Sequence, residues 1–265
     1  MLGDVLVFDV ETVIDASAVK RFLYQDGEAS TLRRRMRDHR LEATDGRSDF
    51  VKPPFHQVVA ISLLLARPAG EQDDQSLEIQ TLTSRSGDAD GEAELLAWFL
   101  NGFEQLKPQL VSFNGRGFDL PVLKYRAMRH GVRAPLLHDT RNKWENYSVR
   151  YAASWHCDLM DVMADYGAST RVGLEEICAV LGLPGKLGLD GGQVESFYEA
   201  ARLDEIATYC ETDVLNTYLV YLAYMRHQGR LSEDGHRGSL GHLASYLETH
   251  CSDRAYIDSF RPAVS

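Results

Sequence analysis

The first apolar run of this chain sets a problem that any fold has to solve. Val5, Leu6, Val7, Phe8 and Val10 put apolar side chains on both faces of one strand, Asp4 to Val10, which is therefore expected to be buried. Asp9 and Glu11 stand two apart, so the period of a strand sends both carboxylates out of the same face. A carboxylate directly behind four apolar residues is partly desolvated and needs a partner. Two of them on one face repel unless a cation lies between them. The plainer reading is that the strand ends at Asp9 and both acids are solvated.

Two more acidic positions lie far along the chain. Asp119 follows Asn114-Gly115-Arg116-Gly117-Phe118 and precedes Leu120-Pro121, which reads as a strand-to-helix turn with proline inside the first helical turn. Asp119 is then either an ordinary N-cap or a carboxylate aimed back at the strand ends, with Asn114 placed to hydrogen-bond a nucleotide. Tyr209 and Asp213 are four apart and so share one helix face. They flank an apolar stripe of Leu203, Ile206, Ala207, Cys210, Val214, Tyr218 and Tyr221, which puts the acid at the border of the core. A surface acid beside a packed tyrosine is the alternative. Asp158 reads as the cap of a short helix, and Asp161 is weaker still. His56, His138 and His156 are isolated and read as structural or surface residues. Arg33 to Arg40 reads as a solvated helix face, with a phosphate reader as the alternative. The basic and aromatic residues between 141 and 155 fit a single-strand contact surface and a hairpin with packed rings about equally.

The remaining patterns bound the architecture. Gln57 to Ala66 and Leu77 to Thr83 read as strands joined by a short polar stretch, hence a hairpin. With the first strand they form an expected antiparallel meander. A helix from Ala89 to Leu106, a strand from Gln109 to Phe113 and a helix from Leu120 to His130 ending at Gly131 follow. Helical patterns then cover Leu174–Leu181, Leu203–Arg226 and Leu240–Thr249. The order predicts a mixed α/β layer fold. It forms one domain over 1–228 with insertions near 15–56 and 138–156, and a helical extension over 229–265 packs on it, its last residues polar and prone to fray. Cys157, Cys178, Cys210 and Cys251 lack metal-site spacing; Cys178 and Cys210 fall at apolar positions of helical patterns and read as buried free thiols, which suits a reducing cytoplasm. No apolar run spans a bilayer, and the N-terminus shows no secretory signal. A net charge of −11 argues against bulk-charge binding of nucleic acid, though not against one local groove.

Taken together, Asp9-Val-Glu11-Thr12, Asn114 through Asp119, and Tyr209-x-x-x-Asp213 resemble the three motifs of the DEDD 3′–5′ exonucleases, DnaQ-like enzymes of ribonuclease H-like fold. Tyr209 resembles the DEDDy branch; the other branch carries histidine where Thr208 stands. The wording around Phe113–Leu123 and His156–Val162 is most similar to stand-alone bacterial relatives of the family B DNA polymerase proofreading domain. The resemblance covers about residues 4–225. It implies an α/β ribonuclease H-like fold, with a three-strand antiparallel meander plus parallel strands. It also implies a cytoplasmic enzyme holding two divalent cations, Mg²⁺ or Mn²⁺, on Asp9, Glu11, Asp119 and Asp213. Tyr209 would orient the attacking water, and Val10, Thr12, Asn114, Gly115 and Phe118 would contact the terminal nucleotide. The expected partner is a single-stranded 3′ end, DNA before RNA, with no membrane. An RNA exonuclease, a small-molecule phosphohydrolase and a non-catalytic nucleic-acid-binding module are the alternatives.

Overall fold

The computed structural model describes residues 2–71, 75–187 and 191–264. Its five strands stand in the order β3-β2-β1-β4-β5. They are β1 (Val5–Ile14), β2 (His56–Ala69), β3 (Ser76–Ser86), β4 (Gln109–Ser112) and β5 (His156–Asp158). β1, β2 and β3 form the expected antiparallel meander, while β4 and β5 run parallel to β1. The tip of the β2–β3 turn, residues 72–74, lies outside the described residues.

β1 is central because it is apolar on both faces. Val5 and Val7 pack towards α8 (Leu203–His227), whereas Leu6, Phe8 and Val10 pack towards α3 (Glu92–Leu106) and α4 (Asp119–His130). The sheet is thus sandwiched between helices, the α/β layering that the sequence predicts. α9 (Glu233–His250) closes the exposed edge, since Leu77 N–H donates to Ser239 Oγ (2.9 Å) and Leu82 N–H to Tyr246 Oη (3.0 Å). Free strand edges are a pairing hazard, and these side chains cap this one. No helix among the described residues is long and apolar enough to cross a membrane.

Five expectations need correction. β1 does not end at Asp9; it continues to Ile14, because Thr12, Val13 and Ile14 keep pairing with β2 beyond a bulge. β5 was not anticipated, being three residues long and recognisable only through its pairing with β4. Arg33 is not on a solvated face: it is buried, its Nε donates to Ile14 O (3.0 Å), and it pairs with Glu199 at 2.7 Å. It therefore pins α2 (Ala29–Ala43) to the end of β1 and to α7 (Val194–Glu199). The C-terminal residues do not fray. Phe260 and Val264 enter the core, and Tyr256 donates to the buried carboxylate of Glu211 on α8. Between 138 and 156 the chain makes turns rather than a hairpin; Tyr147 is buried there while Trp144 and Tyr151 are exposed.

One buried charge network ties the helices above the sheet to β1. Arg126 of α4 donates to both oxygens of Glu92 and to Asp15 Oδ2 (2.6 Å). Glu92 also accepts Val58 N–H at 2.8 Å, and Asp15 caps α1 (Ala16–Leu23). Burial alone would raise the Asp15 carboxyl, but hydrogen bonds from Ser17, Arg126 and Ala18 hold it at about 2. Its stabilising contribution is therefore full above pH ~4 and fades as pH falls towards 2. Arg126→Ala, which strands two buried carboxylates, is expected to cost about 3–5 kcal/mol in urea unfolding at pH 7. The deficit should shrink below pH 4. A loss under about 1 kcal/mol at pH 7 would show that the network does not tie these elements.

Candidate active site

β4 pairs with β1 only from Val5 to Val7, so beyond Val7 one edge of β1 is open. Even-numbered residues turn their backbone groups to that edge. Val10 N–H points there and donates to Asp119 Oδ1 at 3.2 Å, across 109 residues of sequence. Odd-numbered side chains face α8, which places Asp9 and Glu11 opposite Asp213. The carboxylates thus meet because β1 is at once a core strand and an unpaired edge.

The turn that delivers Asp119 is built on a fifth acid. Asp158 at the end of β5 accepts Asn114 N–H (2.9 Å) and Arg116 N–H (2.8 Å), besides capping α5 (Leu159–Met163). Asn114 takes the left-handed region (φ 63°), which asparagine tolerates better than most residues. Gly115 crosses so close to β4 that a Cβ there would lie 2.4 Å from Ser112 Oγ. The N-cap of α4 is Phe118, without a side-chain cap bond, so Asp119 is not an ordinary capping residue. Its carboxylate is buried and aimed at β1.

α8 supplies the opposite wall. Tyr209 is buried one helical turn before Asp213, where its hydroxyl acts on the Asp213 carboxylate. Between them Cys210 points its thiol at Asp9, 3.3 Å from the backbone oxygen and 3.4 Å from Oδ2. One turn after Asp213, the Asn216 amide grips both backbone groups of Gly185, donating to O at 2.8 Å and accepting from N at 3.1 Å. That clamp holds the next residue, Lys186, where its charge acts on Glu11 and Asp213.

The electrostatics show what such a cluster lacks. Surrounding protein and, next, the charges of Asp119, Glu11 and Asp213 push the Asp9 carboxyl well above its usual range. Glu11 is raised by burial and by Asp213 and Asp119, with Lys186 acting in the opposite sense. Burial lifts Asp119 to about 7 despite the Val10 hydrogen bond, and Asp213 to about 6 despite Tyr209 and Lys186. Mutual repulsion of this kind is what bound cations relieve. Asp9, Glu11 and Cys210 present donor atoms within 4.8 Å of one another. The thiol is pushed well up by burial and by Asp9 and Glu11, so it stays protonated and donates rather than ligates. The remaining donors are carboxylate oxygens, a set suited to hard divalent cations.

A cavity of about 380 Å³ opens beside Glu11, walled by Thr12, Phe118, His56, Phe50, Arg37 and Glu195. Of the residues the sequence singles out, Asp9, Glu11, Asp119, Tyr209 and Asp213 come together, and Val10, Thr12 and Phe118 adjoin them. Asn114 and Gly115 shape the turn; the Asn114 side-chain oxygen lies where a Cβ on Gly117 would sit (2.5 Å). Cys210, Lys186, Phe50 and His56 were missed as site residues. An isolated histidine or lysine carries no local signal, because its partners come from other elements.

Because the four acids bind protons more tightly in the folded chain, the metal-free protein should lose stability as pH rises from 5 to 8. Mn²⁺ must displace those protons. The melting temperature in EDTA is therefore expected to drop by several degrees over that range, and Mn²⁺ to restore most of it at pH 8 and little at pH 5. A pH-independent Mn²⁺ effect, or none, would contradict the cluster.

The chain has no match among curated proteins. Residues 48–264 match a family described as predicted 3′–5′ exonucleases related to the exonuclease domain of PolB. The matched span starts after β1, so it is the pairing of β1 with β2 and β4 that adds Asp9 and Glu11 to the remainder. With most of its length matched, and with the mixed sheet and helical layers that this fold requires, the chain belongs to the family of 3′–5′ exonucleases related to the PolB exonuclease domain.

Proposed function

We propose that this chain removes nucleoside 5′-monophosphates from the 3′ end of single-stranded DNA by a two-metal mechanism of the DEDDy type. The observation that carries the reading is the meeting of four carboxylates from β1, α4 and α8, with the Tyr209 phenol beside one of them. The relation of the family to the PolB exonuclease domain supports DNA over RNA.

Bound at these acids, two Mg²⁺ or Mn²⁺ ions supply Lewis-acid stabilisation of the charge that builds on the attacking and leaving oxygens. Asp9 lies between the other acids and is suited to hold both ions. Glu11 and Asp213 complete one position. Asp119 has Oδ1 committed to Val10 N–H, which leaves Oδ2 for the second position, through water. Burial and then the neighbouring carboxylates push the Tyr209 phenol far above its usual range, so it keeps its proton. It is a poor general base; its task is to hold the attacking water in line by hydrogen bonding. Thr12 and Phe118 line the cavity next to Glu11 and contact the terminal nucleotide. Lys186 offsets part of the negative charge that a phosphodiester would otherwise meet. Asn114 and Gly115 serve the substrate indirectly, by fixing the turn.

Matched DNA and RNA oligonucleotides labelled at either end test this directly. Mononucleotide release from the 3′ end of DNA, dependent on Mg²⁺ or Mn²⁺, is expected. Faster digestion of RNA would reassign the substrate, and binding without cleavage would leave only a nucleic-acid-binding module. Asp213→Asn should lower kcat at least a thousandfold. Tyr209→Phe is expected to keep KM within about threefold and lose about a hundredfold in kcat; an unchanged kcat removes the positioning role.

A further inference from the structure

The cavity beside Glu11 has a polarity that two short contacts determine. His56 Nε2 lies 3.0 Å from Val51 O. A carbonyl oxygen only accepts, so Nε2 carries the proton. His56 Nδ1 lies 2.8 Å from Thr12 Oγ1. In a ring protonated at Nε2, Nδ1 is a lone pair, so the Thr12 hydroxyl has to donate. Burial lowers the pKa of His56, which keeps the ring neutral and this order intact. The Thr12 proton is thereby committed, and its oxygen turns only acceptor capacity to the cavity. The other polar group at that end, the Glu11 carboxylate, is an acceptor as well.

The adjoining wall is aromatic. Phe118 meets His56 edge-on at 4.9 Å and Phe50 at 5.5 Å, with Phe50 half exposed at the mouth. Val51 and Phe50 lie in the segment between α2 and β2, and Arg37 of α2 pairs with Glu195 across the cavity. The insertion that the sequence left without a role thus supplies Arg37, Asp49, Phe50, Val51 and His56 to the cavity wall. A cavity of about 380 Å³ lined by aromatic rings, with the acceptor side chains of Thr12 and Glu11 at one end, fits a nucleoside that offers a hydrogen-bond donor on its sugar.

We propose that Thr12 Oγ accepts the hydrogen bond of the free 3′-hydroxyl on the terminal sugar, and that His56 is a positioning residue that keeps Thr12 an acceptor. The inference rests on the exonuclease reading above. It makes the hydroxyl itself a specificity element: a terminus without it leaves two acceptors facing each other unsatisfied. His56 acts only through Thr12, so its removal should change which ends are preferred rather than slow all ends alike.

The test compares oligonucleotides ending in a 3′-hydroxyl with identical ones ending in a 3′-hydrogen. The wild-type enzyme should favour the hydroxyl by about tenfold in kcat/KM, mostly through KM. Thr12→Val and His56→Phe should each bring the ratio close to one. His56→Asn, whose Oδ1 can replace Nδ1 as acceptor, should keep most of the preference. A purely structural His56 would slow both ends equally in His56→Phe, and that result overturns the proposal. Equal wild-type rates on the two ends overturn it while leaving the exonuclease reading intact; no hydrolysis of either end with Mg²⁺ or Mn²⁺ overturns both. Ring ¹⁵N NMR of the full chain is independent of activity and of any misfolded variant. It should show His56 protonated at Nε2, and protonation at Nδ1 would overturn the relay.

Discussion

Repulsion among Asp9, Glu11, Asp119 and Asp213 is the constraint that the rest of the structure answers. Each of these carboxyls is pushed above its usual range by burial, and Asp9, Glu11 and Asp119 also by neighbouring carboxylates, so the folded chain holds them together at a cost. Part of that cost is offset locally, by Val10 N–H on Asp119, Tyr209 on Asp213, the Cys210 thiol on Asp9 and the charge of Lys186. The larger part is met by the scaffold, which supplies each acid from an element anchored elsewhere. β1 is locked between β2 and β4, α8 is buried along most of its length, and α4 is held by Arg126 to Glu92 and Asp15. A site loaded with like charge in this way is poised to gain free energy when cations bind.

The same logic explains why the chain can be strongly acidic and still handle a polyanion. Its formal charge of −11 counts the cluster as bare carboxylates. Two divalent cations would cancel the four negative charges at the one place where a phosphodiester has to approach. On the proposed reading the cavity needs no basic groove of its own: Phe50 and Phe118 would face the base with rings, and Thr12 and Glu11 would face the sugar with acceptors.

Much of this was legible in the sequence, for identifiable reasons. β1, α4 and α8 have strong periodicities, and the acids fall at positions in those patterns where solvation is poor. Their meeting is a consequence of topology, and the three-motif resemblance anticipated it. What was not legible depends on contacts across the sheet. Asp158 looked like a helix cap; it is one, but it also receives two N–H groups from a turn more than 40 residues away. Arg33 looked solvated because its neighbours Arg34 and Arg35 are exposed, whereas its own partners are Ile14 and Glu199. His56 and Lys186 had no neighbours in sequence to give them meaning. β5 was too short to show a period at all.

The most direct test of the central claim is anomalous diffraction from crystals of the full chain soaked in Mn²⁺. The account predicts two peaks about 4 Å apart, both within reach of Asp9, one towards Glu11 and Asp213 and the other towards Asp119. In Asp9→Asn crystals both should weaken together. No peak at these acids, or peaks bound elsewhere while the four carboxylates stay empty, would contradict it.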